Sequence, residues 1–150
     1  MTTSVNLVVK AVSIDEFASV ELYLCDCAGK ELFSDFVNDF WDHPGGVMVV
    51  YDVTDKQSFA SCAKWLERVK AKKAAVDVPL PGVLVANKID LVDRRVVSKE
   101  EGMAFAASKE LQYFECSAKD GLSTDSPFKY LAEMFHKLYE EKLETLKSIQ

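Results

Sequence analysis

Along the chain, alternating or unbroken apolar runs give way to stretches where apolar residues recur every three or four positions. Residues 4–13 (SVNLVVKAVS) and 19–26 (SVELYLCD) are β-branched and partly alternating. The polar bend Asp15-Glu16 between them marks a hairpin of two antiparallel strands. Residues 31–41 place Leu32, Phe33, Phe36, Val37, Phe40 and Trp41 at helical spacing, and Pro44-Gly45-Gly46 stops that helix. Residues 47–53 (VMVVYDV) form a continuous apolar run, as expected of a strand covered on both faces.

Thr54-Asp55-Lys56-Gln57 matches the capping-box pattern, and Phe59, Cys62, Ala63, Leu66 and Val69 follow on one helical face as far as residue 73. Residues 83–87 (VLVAN) are a second doubly buried strand. Ser98-Lys99-Glu100-Glu101 repeats the capping box and opens a helix to residue 109, before a short strand at 113–116. Ser126 as N-cap, with Pro127 at the first helical position, starts a last helix with the stripe Phe128, Leu131, Phe135, Leu138 and Leu146, running nearly to Gln150. From Val47 onward strand and helix alternate, which predicts an α/β fold: a parallel sheet with right-handed crossovers and helices on both faces. Ligands of such sheets lie past the carboxyl ends of the strands, so the residues after Leu24, Tyr51, Asn87 and Cys116 are the ones to inspect.

Composition narrows the function. The 150 residues are 49% hydrophobic and 28% charged, the balance of one globular domain over residues 1–150. Eighteen Lys and Arg against 24 Asp and Glu leave a net charge of −6, which argues against nucleic acid or an anionic membrane as main partner. The start Met-Thr-Thr-Ser-Val-Asn has no secretory pattern and no apolar run is long enough to span a bilayer, so an intracellular location is expected. Cys25, Cys27, Cys62 and Cys116 lie in or beside apolar runs and read as reduced core thiols. With only His43 and His136 besides, they make no metal site.

Three motifs stand at strand ends, in chain order: Asp26-Cys27-Ala28-Gly29, Asn87-Lys88-Ile89-Asp90 and Cys116-Ser117-Ala118-Lys119. An N-K-x-D alone is expected by chance in about one of fifty chains of this length, so it is their joint order that carries weight. The last two suit guanine recognition. The Asp90 carboxylate can accept both N–H groups on guanine N1 and N2, a fork that adenine lacks. Asn87 can bond the ring edge and tie the loops, while the stem of Lys88 lies across the purine face. The Ala118 N–H can donate to guanine O6, with Ser117 and Lys119 shaping the turn. In the first motif Asp26 can hold Mg²⁺ through water, and Gly29 lets a backbone N–H approach a terminal phosphate.

With these motifs, and with Tyr51-Asp52-Val53-Thr54, Ser58-Phe59 and Trp65-Leu66, the whole chain resembles the Ras-like small GTPases of the Rab branch. Leu7-Val8-Val9-Lys10, Ala28-Gly29-Lys30-Glu31-Leu32-Phe33, Leu80-Pro81-Gly82-Val83-Leu84-Val85 and Phe135-His136-Lys137-Leu138-Tyr139 look like the Rab-like GTPases of the ciliary intraflagellar transport B complex. The resemblance implies GTP or GDP with Mg²⁺ as ligands, and a place in cilium or flagellum and cytoplasm. It also implies a stable pairing with a small β-sandwich subunit among other B-complex subunits, and a role in exporting membrane-protein cargo. A Rab-type switch GTPase of vesicle traffic is the alternative.

Departures from the family pattern bound these expectations. No G-x-x-x-x-G-K-[ST] occurs among the 150 residues, and their six glycines are not so arranged. By the resemblance, Thr2 matches the effector-loop threonine. The expectation is a three-layer Ras-like G domain lacking its first strand, phosphate loop and first helix, with nucleotide binding weak or absent in this chain. The hairpin should then stand apart from the strand at 47–53. Lys30 takes the place of the glutamine that orients the attacking water, and an ammonium has no acceptor for that task, so slow hydrolysis is expected. The end Lys147-Ser148-Ile149-Gln150 has no cysteine to prenylate, so no lipid anchor is expected.

Overall fold

A computed structural model of the chain describes residues 5–27, 44–73 and 80–148. Thr2, Gly29, Lys30 and the helix expected at 31–41 lie outside the described residues. Strands β1 (Val5–Ser13) and β2 (Ser19–Cys27) form the expected hairpin, with Val5 opposite Cys27 and Ser13 opposite Ser19. The carboxylate of Asp15 closes the turn by accepting from the backbone N–H groups of Phe17 (2.7 Å) and Ala18 (2.8 Å). These two bonds hold its carboxyl below the usual carboxylate range.

The second sheet is parallel, in the order β3 (Val47–Asp52), β4 (Gly82–Asn87), β5 (Gln112–Glu115). Its crossovers are helix α1 (Lys56–Lys73) between β3 and β4 and helix α2 (Lys99–Ser108) between β4 and β5. Helix α3 (Ser126–Lys147) follows β5. The hairpin and the parallel sheet share no ladder. That matches the separation expected from the sequence, and among the described residues β3 has no strand partner on the side away from β4. The hairpin is instead tied to the start of α3, where Lys10 Nζ bonds Asp125 Oδ1 at 2.9 Å and lies 5.5 Å from the centroid of the Phe128 ring.

The sheet divides two cores of unequal size. On one face Val49, Tyr51, Leu84 and Ala86 pack with Cys62 and Leu66 of α1 and Ala106 of α2, joined by Phe59 and Phe105. On the other, Val83 and Val85 pack with Leu131 of α3, Phe114 and Tyr130. β4 is buried on both faces as expected. β3 is not: Met48 packs against the core on the α3 side, but Val50, two residues on along the same face, is 50% exposed, so that cover stops short of the end of β3.

Two helix starts differ from expectation. Asp55, not Thr54, caps α1: its Oδ1 accepts from Gln57 N at 2.8 Å and its carbonyl from Phe59 N. The Thr54 hydroxyl is diverted to Asp52 Oδ1 (2.7 Å), and a carboxylate is the stronger acceptor at a helix N-terminus. α3 is capped by Asp125 rather than Ser126, with no side-chain bond, since that carboxylate is spent on Lys10. The box at Ser98 and Glu101 forms in both directions, at 3.1 and 2.8 Å.

The cysteines are free thiols of two kinds. Cys62 and Cys116 are buried, whereas Cys25 is exposed on β2 and Cys27 half-buried, which corrects the reading of all four as core residues. A two-stranded ribbon cannot cover both its faces. Burial pushes the Cys62 thiol up to about 11. At pH 8 a maleimide is expected to label Cys25 in the folded protein but Cys62 only on unfolding, when the thiolate fraction of Cys62 rises about 100-fold. Equal rates by mass spectrometry would contradict this packing.

Candidate functional site

The carboxyl ends of β3, β4 and β5 are laced into one rim. Val53 N donates to the Asn87 carbonyl (3.1 Å), Cys116 N to the Ala86 carbonyl (2.8 Å) and Ile89 N to the Cys116 carbonyl (3.3 Å). These bonds carry the pairing one or two residues beyond each strand and bring the 87–90 and 116–119 loops side by side.

Asn87 is the knot. Its Oδ1 accepts from Lys88 N (2.8 Å), Ala118 N (3.1 Å) and, more weakly, Cys116 Sγ (3.6 Å). The Lys88 N–H bond holds that residue at φ 66°, a left-handed conformation rarely adopted by residues with a Cβ. Asp90 is clamped in the same manner: its Oδ1 accepts from Ser117 Oγ at 2.8 Å, and Lys119 Nζ lies 3.9 Å from Oδ2. Ser117 is fully buried, and its Oγ also accepts from Asp120 N (3.2 Å). The carboxylate of Asp90 is thus held at Oδ1 by a short hydrogen bond and at Oδ2 by the looser lysine contact.

Five of the six residues read as base-contacting, Asn87, Asp90, Ser117, Ala118 and Lys119, meet directly through these contacts. Lys88 joins through its backbone. One detail departs from the sequence reading: the Ala118 N–H, assigned to a purine oxygen, donates to Asn87 Oδ1. Asp26 is exposed on β2, opposite Asn6 in the hairpin register. No group of three or more His, Cys, Asp or Glu suited to a metal ion exists among the described residues. A single exposed carboxylate fits a Mg²⁺ that keeps most of its waters, and fits no tighter site.

Sequence reading missed two supports. Asp52 ends β3 with its Oδ2 2.5 Å from Lys88 Nζ. Arg95 donates from both terminal nitrogens to Glu115 Oε1 (2.9 Å each), where Tyr113 also donates (2.9 Å), so the residue before Cys116 is held from below. Asp52 carried a signal, its place just past Tyr51. Arg95 and Glu115 carried none, being 20 residues apart and ordinary surface types.

Comparison with known proteins decides the family. The Ras family model matches residues 1–137. The chain belongs to the Ras family. It is 48% identical to an intraflagellar transport protein 27 homolog of Bos taurus, over 99% of this chain and 80% of that protein. The intraflagellar transport protein 27 of Chlamydomonas reinhardtii is 37% identical, over 95% and 72% of the two chains. The Bos taurus Ras-related protein Rab-7b is 33% identical, over 96% and 72%. The chain is therefore a Rab-like small GTPase domain. Its α/β architecture, with a parallel sheet between helices, is that of the family, and guanine nucleotide with Mg²⁺ is the ligand pair of the family in general. The rim fits a guanine: a fixed carboxylate edge at Asp90, an amide at Asn87 and the alkyl stem of Lys88.

Proposed function

We propose that the protein is a Rab-like, guanine-nucleotide-binding subunit of the intraflagellar transport B complex, acting in ciliary or flagellar transport. The observation that carries this is the clamping of Asp90 by Ser117 and of Asn87 by Ala118, which joins two loops into one shelf complementary to the donors and acceptors of guanine. The likeness to intraflagellar transport protein 27 homologs supports the ciliary setting. In this reading Asn87, Lys88, Asp90, Ser117, Ala118 and Lys119 hold the base. Thr2, Asp26 and Gly29 are the phosphate-sensing residues, with Asp26 reaching Mg²⁺ through water. Lys30 makes hydrolysis slow. The partners are a small β-sandwich subunit and other B-complex subunits, and the task is export of membrane-protein cargo through cilium and cytoplasm.

No G-x-x-x-x-G-K-[ST] lies within residues 1–150. The amide cradle and lysine of such a loop supply most contacts to a triphosphate. The 150-residue polypeptide alone is therefore expected to bind GTP at least about a thousandfold more weakly than a relative that has them. Calorimetry giving sub-micromolar affinity for this polypeptide would refute that expectation. Affinity purification of the protein from ciliated cells is expected to recover B-complex subunits. Recovery of vesicle-tethering partners alone would favour the vesicle-traffic alternative.

A further inference from the structure

Asp52 is a charged side chain of the rim that base recognition does not use. Asp52 ends β3 directly opposite Asn87 in the parallel register. Its two carboxylate oxygens do separate work. Oδ1 accepts from the Thr54 backbone N–H (2.8 Å) and hydroxyl (2.7 Å), while Oδ2 meets Lys88 Nζ at 2.5 Å. Its own N–H donates to Ser58 Oγ at 3.0 Å, so the anchor is fixed by its turn before the lysine arrives. Partial burial would raise its carboxyl, but Lys88 and the Thr54 donors outweigh this and hold it below the usual carboxylate range.

Lys88 needs such an anchor. Its backbone is set at φ 66° by the Asn87 side chain, but its four-carbon stem is half exposed and by itself would sample many rotamers. A stem that must lie as a wall along a flat ring gains from being held at both ends, by the backbone at one and by a carboxylate at the other.

We propose that Asp52 is a positioning residue for base recognition, which holds the Lys88 stem in place as the wall of the base site. The inference rests on the guanine reading of Asn87 to Asp90. Asp52→Asn keeps an oxygen for Thr54 and removes the charge that holds the ammonium, so the turn survives.

The experiment titrates the whole chain with GDP by NMR, which reads weak binding. Asp52→Asn is expected to raise the GDP dissociation constant about threefold, the scale of a half-exposed ion pair. In a Lys88→Met background, which keeps the stem and removes the ammonium, the same substitution is expected to change nothing. Without nucleotide, Lys88 is expected to acylate faster in Asp52→Asn than in the wild type, as read by mass spectrometry. An equal loss of affinity in both backgrounds, or an unchanged rate of Lys88 acylation, would overturn the proposal. If wild type shifts no resonance of Asn87 or Asp90 with GDP beyond what ADP does, the guanine reading itself fails and the proposal with it. If wild type does discriminate and Asp52→Asn binds GDP equally well, only the positioning role fails.

Discussion

In a form of the protein that carries a glycine-rich phosphate loop ahead of residue 1, Asp90→Asn is expected to cost roughly 2–4 kcal/mol in GTP affinity, from loss of a charged bidentate pair. The same change is expected to raise the relative affinity for xanthosine triphosphate, whose ring offers an oxygen where guanine has its amino group. The carboxamide can donate to that oxygen. The geometry favours a clean result. Ser117 Oγ lies 2.8 Å from Asp90 Oδ1, so the asparagine is held by the same hydroxyl with its NH₂ at the position of Oδ2. Competition binding with GTP and xanthosine triphosphate checks this, and equal affinities in wild type and variant would remove Asp90 from base recognition.

Gly102→Ala is expected to destabilise the fold although alanine is the better helix former. A Cβ at Gly102 would lie 2.5 Å from the Tyr51 hydroxyl, 2.7 Å from Tyr113 Cε2 and 3.0 Å from the Tyr113 hydroxyl. Those rings cannot yield freely: the hydroxyls lie 3.4 Å apart, and Tyr113 donates to Glu115 Oε1, which also holds Arg95. Burial drives the Tyr113 hydroxyl well above its ordinary pKa, followed in size by its neighbours Tyr51 and Glu115. Helix propensity returns about 1 kcal/mol, while overpacking against two atoms closer than 3.0 Å falls in the upper part of the usual range, about 2–3 kcal/mol. The net expectation is a loss of about 1–2 kcal/mol, or about 2–8 °C in melting temperature for a domain of this size. Gly102→Val, which adds two further carbons and gives up the alanine propensity, should lose more. A melting temperature unchanged or raised in Gly102→Ala, followed by circular dichroism, would mean that α2 rides over the sheet without this close contact.

The candidate site was more legible than its supports. Asn87, Asp90, Ser117, Ala118 and Lys119 each sit within four residues of a strand end, and guanine needs those types in that spacing, so motif and strand pattern together located them. The Asp52 to Lys88 pair crosses 36 residues of chain and depends on which strands become neighbours. So does the Arg95 to Glu115 pair, since single charged residues carry no signal of a partner.

Local interactions account for what the sequence determined by itself. Hairpin, helices and strands follow from apolar periodicity and from caps such as Ser98 with Glu101, all of which act within a few residues. Family membership, and with it the parallel character of the sheet, was likewise readable from residues close in the chain. Tertiary structure alone decided how far each strand is covered, and this is why the apolar run at 47–53 leaves Val50 half exposed while the equally apolar run at 83–87 is sealed. It also decided which carboxylate caps a helix and which is drawn away, as with Asp125, taken by Lys10 from 115 residues distant. Burial and long-range pairing are properties of neighbours in space, and a residue's type records only what it can do with a neighbour, not which one it meets.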